Sequence, residues 1–228
     1  MYSNKLKTFV NEIKEHNRNP LDTSVFEMLK ETNSNPQNCI DAGQLFYRTR
    51  IITEKDSIGK SSDFKGFDAA GSFVPPRNKS KDFRANYRNI PYLYLASTKE
   101  LAIHESKCGI HDRLSMATIR VNESLMLFDL RQVKSEIDKD RKPKDNLLID
   151  LAHLFAKPVL TDDDLIDYIP TQFIAELIKN LDYDGIIYPS SFGKSKETDY
   201  CIVVFNFDKC EAICSEVIDI SSHIHFKY

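Results

Sequence analysis

The sequence contains no tryptophan and only 7 glycines among its 228 residues, and several widespread functional motifs are missing with them. No GxGxxG or GxxxxGK[ST] pattern occurs, so neither a Rossmann dinucleotide site nor a phosphate-binding P-loop is expected. The nucleophile elbow GxSxG of the α/β-hydrolases is also absent. Three common ways of building an active site are therefore excluded.

Long apolar runs and an excess of basic residues are missing too. No run of 18 apolar residues occurs, and the N-terminus lacks the apolar core of a signal peptide. The 34 acidic residues outnumber the 31 basic ones, which argues against a dedicated binder of nucleic acids or anionic membranes. The five cysteines have irregular spacing and no CxxC pair, so we expect a reduced, cytoplasmic protein without a disulfide framework.

No metal site is expected from the histidines. His223 and His225 form the closest pair, but they lie in the C-terminal tail without an obvious third ligand. His104 and His111 lack a cysteine or carboxylate at zinc spacing. A chemistry that needs no metal is therefore favoured.

The apolar pattern divides the chain into a helical N-terminal extension, residues 1–44, and a main domain, residues 45–228. In the extension, a stripe from Leu6 to Ile13 predicts one helix, and Val25, Phe26 and Leu29 predict a second. A polar loop is expected at residues 31–38. The main domain mixes short strands and few helices irregularly, which predicts the α+β class. Predicted strands lie at 45–52, 91–96, 114–121, 125–130, 186–188, 201–207 and 210–220, and predicted helices lie at 97–108, 147–155 and 170–181.

Two local signals refine this outline. Ser97 and Glu100 fit a capping box, which places a helix start at Ser97. Asp184 and Gly185 form a dipeptide that is typical of turns.

The predicted strand at 45–52 contains arginines among apolar residues. Alternation places Phe46, Arg48 and Arg50 on one face. A charged side chain on a core strand needs a partner. On this pattern alone, an edge strand whose arginines reach solvent is the simpler interpretation.

Residues 77–88 hold five basic residues and one acidic residue, and they lead directly into an aromatic strand. Such a segment could bind nucleic acid, could bind the phosphate of a small molecule, or could be a solvated loop. Because the chain is acidic on balance, a local anion site is favoured over a broad nucleic-acid surface.

Two further places attract attention. Glu105 follows Leu101 by four residues and Ala102 by three, so it is expected on the inner face of its helix, either in a salt bridge with an arginine or as a catalytic group. Ser190 and Ser191 follow a short apolar strand, where side chains either enter a cleft or simply form a turn.

In this order, these segments resemble the RES domain, a family named for its arginine, glutamate and serine. The resemblance spans roughly residues 45–207, and its most specific part runs from Arg84 to Glu105. The matching stretches are Phe46-Tyr-Arg48, Phe73-Val-Pro-Pro76, Arg84-Ala-Asn-Tyr-Arg-Asn-Ile-Pro-Tyr-Leu-Tyr-Leu-Ala96, Glu100-Leu-Ala-Ile-His-Glu105, Phe128-Asp-Leu130, Ile169-Pro-Thr-Gln-Phe-Ile-Ala-Glu176 and Tyr183-Asp-Gly-Ile-Ile-Tyr-Pro-Ser190.

The resemblance implies a bacterial toxin that destroys NAD⁺ by hydrolysis or phosphorolysis, with NAD⁺ as substrate and no cofactor. It also implies a fold similar to the ADP-ribosyltransferases and neutralisation by an Xre-type antitoxin. Its catalytic residues fall on Glu105, Arg84 and Ser190. Its substrate-binding residues fall on Arg48, Tyr94, Tyr47 and Ser191, where Ser191 is also an alternative to Ser190.

The chain departs from the family pattern at two positions where glycine is frequent. Phe83 precedes the central arginine, which leaves the path of this loop open, and Asn89 lies two residues before a proline. Asparagine tolerates left-handed backbone, so the second change is mild. Two other functions stay open: transfer of ADP-ribose to a protein or RNA, and a non-enzymatic role in binding a partner.

Overall fold

The computed structural model describes residues 4–20, 24–32, 39–59, 61–131, 143–157, 165–193 and 198–220. Within these ranges the chain combines one eight-stranded sheet with six α-helices, which confirms the predicted α+β class. None of the described helices is both long enough and apolar enough to cross a membrane. Most of the loop predicted at 31–38 and the tail with His223 and His225 lie outside the described residues.

The strands follow the predicted pattern closely, and the strand predicted at 45–52 has those bounds. Along the sheet their order is β1-β5-β6-β7-β3-β2-β4-β8. Among the strands that the structure describes, only β5 and β6 pair in parallel, as expected for a fold without regular βαβ units. The strands are β1 Cys39–Ile40, β2 Leu45–Ile52, β3 Leu93–Ala96, β4 Arg113–Val121, β5 Leu125–Asp129, β6 Gly185–Pro189, β7 Tyr200–Val204 and β8 Cys210–Asp219.

The helices lie mainly on one face of the sheet. The first is extended by a π-helical turn, Glu12–His16, and the last begins with Pro170 in its first turn, as predicted. The helices are α1 Asn4–Asn11, α2 Ser24–Thr32, α3 Ala69–Ser72, α4 Lys99–Glu105, α5 Pro143–Ala156 and α6 Ile169–Lys179.

The N-terminal helices share the main hydrophobic core. Leu6 and Ile13 of the first helical segment and Leu29 of α2 are fully buried in the same cluster as Phe155 and Ile174 of α5 and α6. The opposite face of the sheet carries a second cluster around Phe46, Leu93 and Ile202. The predicted helical extension therefore packs against the main domain through the stripe that its sequence shows.

Two local predictions were wrong. The N-cap of α4 is Thr98, whose hydroxyl accepts a hydrogen bond from the Leu101 amide, whereas Ser97 bonds instead to the backbone of Thr198 and Tyr200. Asp184-Gly185 is not a turn, because Gly185 begins the buried strand β6. The chain reverses a little earlier, where Asp182 adopts a positive φ of 63°.

Candidate active site

A cavity opens where the sheet divides. β2 and β3 pair only through Tyr47 and Ala96 and then diverge. At the divergence lies a cavity of about 450 Å³, lined from β2 by Tyr47 and Arg48 and from β3 by Tyr94. This volume lies in the range of cavities that bind small organic ligands.

The carboxylate of Glu105 stands at the end of α4 and borders this cavity. The Ser190 hydroxyl donates a hydrogen bond to its Oε1 at 2.6 Å, and Ser190 accepts one from the Phe192 amide. The Cys201 thiol donates to the same oxygen at 3.5 Å. Glu105 forms no ion pair with any described arginine, so of the two alternatives for this residue the salt bridge is not found. The side chain is exposed, yet its Oε1 faces the cavity and reaches the buried Cys201 thiol of β7.

Two buried groups beside Glu105 keep their protons at neutral pH. Burial, followed by the charge of Glu105, raises the pKa of the Cys201 thiol well above its usual value. Burial also raises the pKa of the Tyr188 hydroxyl, with smaller effects from Cys201 and Glu105. Both groups can therefore act as hydrogen-bond donors on the wall of the cavity.

Arg48 brings a positive charge into the cavity with little to neutralise it. Burial and the nearby Arg50 lower its pKa to about 10, which leaves it charged at neutral pH. Its guanidinium donates one long hydrogen bond, 3.5 Å, to the Ser72 carbonyl, and no described carboxylate pairs with it. The expected edge strand is wrong, because β2 lies between β3 and β4 and holds both arginines partly buried.

Arg50 is satisfied in a different way. Its guanidinium donates to the Gly71 carbonyl and lies over the ring of Phe67, 4.1 Å from the ring centroid. Of the two arginines predicted on one face of β2, only Arg48 is available to a ligand in the cavity.

Arg84 lines the cavity and also holds the end of a helix. Its two terminal nitrogens donate to the carbonyls of Leu154 and Lys157, at 3.2 and 2.7 Å. These carbonyls belong to the C-terminal end of α5, where the helix dipole favours a cation. The remaining N–H groups of the guanidinium can serve a ligand. Loss of Arg84 would therefore affect both the helix and the site.

The other four basic residues of 77–88 do not line the cavity. All four are exposed and make no ion pair with the described residues: Arg77, Lys79, Lys81 and Arg88. In this segment the interpretation as a solvated loop fits these four residues, whereas Arg84 alone borders the cavity.

Asn86 organises the loop that carries Arg84. Its amide nitrogen donates to the carbonyls of Lys81 and Tyr87 and to the Ser80 hydroxyl. Its oxygen accepts from the Tyr94 hydroxyl at 2.7 Å, and this hydroxyl in turn accepts from the Ala85 amide. Burial raises the pKa of Tyr94, so the hydroxyl keeps the proton that it donates. Asn86 thereby connects the loop to the ring that walls the cavity.

Side chains in the first turn of α6 bond to the backbone of the same loop. The Gln172 amide donates to the carbonyls of Phe83 and Asn86, at 3.0 and 2.9 Å, and the Thr171 hydroxyl donates to the Arg84 carbonyl. Gln172 is only 2% exposed, and its hydrogen bond to the Asn86 carbonyl is buried, whereas its hydrogen bond to the Phe83 carbonyl is partly buried. The backbone on both sides of Arg84 is therefore fixed by buried side chains of a helix.

We expect Gln172→Met to lower the free energy of unfolding by about 1–3 kcal/mol, because the Phe83 carbonyl loses its donor and the buried Asn86 carbonyl keeps only the Phe83 amide. Denaturation in guanidinium chloride, followed by circular dichroism, measures this change. The control is Gln44→Met at an exposed position, which should stay within about 0.5 kcal/mol of the parent. Equal stabilities of the two variants would contradict the assigned role of Gln172.

The structure brings the sequence-predicted site residues together. Six of them line one cavity: Tyr47, Arg48, Arg84, Tyr94, Glu105 and Ser191. The seventh, Ser190, bonds to Glu105 instead. Sequence reasoning missed Asn86, Thr171, Gln172 and Cys201. Thr171, Gln172 and Cys201 bond to residues between 86 and 96 positions away in the chain, whereas Asn86 bonds within its own loop, where no local pattern marks it.

Both departures from the family pattern are accommodated by the backbone. Asn89 adopts the left-handed conformation, φ 67°, as expected from its side chain. Phe83 needs no such conformation, and its amide donates to the Asn86 carbonyl across the bend at residues 84–85. Among the described residues, no three histidine, cysteine or acidic side chains converge to form a potential metal site.

Comparison with known proteins identifies the family. A model of the RES domain matches residues 54–228, although the cavity also draws Tyr47 and Arg48 from β2, which precedes this match. A solved chain in the crystal structure of the M. tuberculosis MbcT-MbcA toxin-antitoxin complex is similar with a TM-score of 0.48 and 13% identity, over 89% of this chain and 94% of that one. No curated protein matches by sequence. Since the RES model covers most of its length, this protein belongs to the RES domain family.

Proposed function

We propose that this protein destroys NAD⁺ by cleaving the bond between nicotinamide and ribose, and that it is the toxin of a bacterial toxin–antitoxin pair. One observation carries the proposal: Glu105, an exposed carboxylate held by Ser190, shares a cavity with the charged side chains of Arg48 and Arg84. Membership in the RES family supports the same conclusion, because the resemblance implies toxins that degrade NAD⁺.

The reaction suits these residue types. The C1′–N bond breaks with its electron pair on the nicotinamide nitrogen, so the leaving group becomes neutral. Positive charge develops on the ribose, and the Glu105 carboxylate stabilises it or holds the ribose hydroxyls. An oxygen of water or inorganic phosphate then bonds to C1′, and a proton is released when the acceptor is water. Neither step needs a metal or a redox cofactor.

The remaining residues bind and orient the dinucleotide. The guanidinium groups of Arg48 and Arg84 are suited to the diphosphate, because arginine matches phosphate oxygens in pairs. Tyr47 offers aromatic surface for the nicotinamide end, and the ring of Tyr94 walls the cavity beside the substrate. Ser190 holds Glu105 in one orientation, since its oxygen already accepts from the Phe192 amide and its proton is directed to the carboxylate.

A toxin of this kind would act in the cytosol on the cell's own NAD⁺, and its activity would require control. We propose an antitoxin of the Xre type as partner, on the basis of the family resemblance.

The test is to incubate the purified protein with NAD⁺, with and without inorganic phosphate, and to follow free nicotinamide by chromatography. We expect nicotinamide to be released. Release without phosphate would identify a glycohydrolase, and release only with phosphate would identify a phosphorylase. Absence of release under both conditions would contradict the proposal and favour a macromolecular acceptor of ADP-ribose or a binding role.

A further inference from the structure

Phe83 is an aromatic side chain left open at the mouth of the cavity. It lines the cavity, yet 47% of it is exposed. Its ring packs at a tilt of 60° against Tyr94, with 5.8 Å between the ring centroids. A tilted contact covers one edge of the ring and leaves most of the face accessible.

The backbone holds this ring in a fixed position. The Phe83 amide donates to the Asn86 carbonyl at 3.1 Å, and the Phe83 carbonyl accepts from the Gln172 amide at 3.0 Å. Both backbone groups of Phe83 are therefore held by hydrogen bonds. A flat group that stacks on Phe83 would therefore meet a preformed surface and would lose little free energy in ordering it.

The size of the cavity indicates that a ligand reaches this ring. Cavities of roughly 300–1,000 Å³ enclose ligands of drug size, and a dinucleotide is larger. In a cavity of about 450 Å³, one end of the molecule extends to the mouth. If the reacting ribose lies at Glu105 and the diphosphate at the arginines, the far end passes Arg84, which directly follows Phe83 in the chain.

The other exposed ring at the cavity is less suitable for this end. Phe192 is 40% exposed, but its ring stacks on His104 with an angle of 16° between the planes. It also lies beside Ser190 and donates its amide there, close to the carboxylate. Phe192 thus lies at the end of the cavity where Glu105 stands, whereas Phe83 lies at the opposite end.

We propose that Phe83 is the stacking platform for the adenine base of the dinucleotide and that it gives this chain its preference for substrates with a second, planar base. The inference rests on the proposed function for the direction in which the substrate lies. Stacking needs no hydrogen-bond readout of the base, so other planar bases would be tolerated as well.

The test measures equilibrium binding by calorimetry in the Glu105→Gln background, which prevents turnover. The two probes are ADP-ribose, which carries the adenine, and nicotinamide mononucleotide, which lacks it. We expect Phe83→Ala to weaken the binding of ADP-ribose about 10-fold or more and to leave the mononucleotide unchanged. Phe83→Trp should bind ADP-ribose at least as well as the parent. The matched control is Ile90→Ala, an exposed apolar residue of the same loop that does not line the cavity.

The outcomes separate this inference from the proposed function. Unchanged binding of ADP-ribose in Phe83→Ala, or an equal loss with both probes, would overturn the adenine platform even if the wild type cleaves NAD⁺. A selective loss with ADP-ribose supports the platform even if the wild type releases no nicotinamide. In that case only the proposed reaction fails.

Discussion

Replacing Glu105 with glutamine is expected to reduce nicotinamide release by at least about 100-fold, because the neutral amide no longer stabilises positive charge on the ribose. The fold should not suffer, since the side chain is exposed and makes no ion pair with the described residues. The measurement compares initial rates at saturating NAD⁺ and thermal unfolding of the same preparations. We expect the free energy of unfolding to change by less than about 0.5 kcal/mol.

The matched control for this variant is Glu100→Gln, an exposed glutamate in the first turn of the same helix. It should retain the wild-type rate. A second comparison uses Ser190→Ala, which removes the hydrogen bond to Glu105 but not the carboxylate. If Ser190 acts through Glu105, its removal lowers the rate of the wild type but adds nothing to Glu105→Gln. A Glu105→Gln enzyme with the wild-type rate would exclude the carboxylate from the chemistry.

Replacing Gly185 with alanine is expected to have the largest effect on stability, a loss of about 3 kcal/mol or more. A Cβ atom at this position would lie 2.1 Å from the Val203 carbonyl oxygen and 3.0 Å from a methyl group of Leu127. Both neighbours are held in the sheet, because β6 pairs with β5 on one side and with β7 on the other. The strands cannot separate without breaking hydrogen bonds of the central sheet.

Chemical denaturation of the soluble protein measures this loss, and the soluble yield on expression shows whether the variant folds at all. Gly109→Ala is the control, since its Cβ would meet only a carboxylate oxygen of Asp112 at an ordinary 3.6 Å. We expect that variant to unfold at the wild-type midpoint. A Gly185→Ala protein with the same midpoint would show that β6 can shift to make room.

The sequence predicted most of the fold where a single residue pattern determines the local structure. The strand at Leu45–Ile52 and the helix around Pro170 followed from alternation and from the tolerance of proline in a first helical turn. The errors arose where the same residues are compatible with two local structures. Ser97 and Thr98 are both good caps, and glycine after aspartate is typical of turns, whereas Gly185 is required here by the close approach of a neighbouring strand.

The candidate site was predicted only in part, for a similar reason. Arg48, Arg84, Tyr94 and Glu105 were recognised through their place in a family pattern, and the structure places all four around one cavity. Asn86 and Gln172 also lie in matching stretches, but the resemblance implies no role for them. The partners of Gln172 are fixed by how this helix meets a loop 86 residues earlier in the chain, and only the folded structure shows that contact.

The arrangement of the strands also has a consequence for synthesis of the protein on the ribosome. Glu105 accepts hydrogen bonds from Ser190 and Cys201, which follow it in the chain by 85 and 96 residues. They lie on or next to β6 and β7, which fill the middle of the sheet between β5 and β3. A nascent chain therefore carries Glu105 long before the groups that hold it have been made. The destructive chemistry proposed here would begin only after β6 and β7 have been made, so translation products that stop before them would be harmless to the cell that makes them.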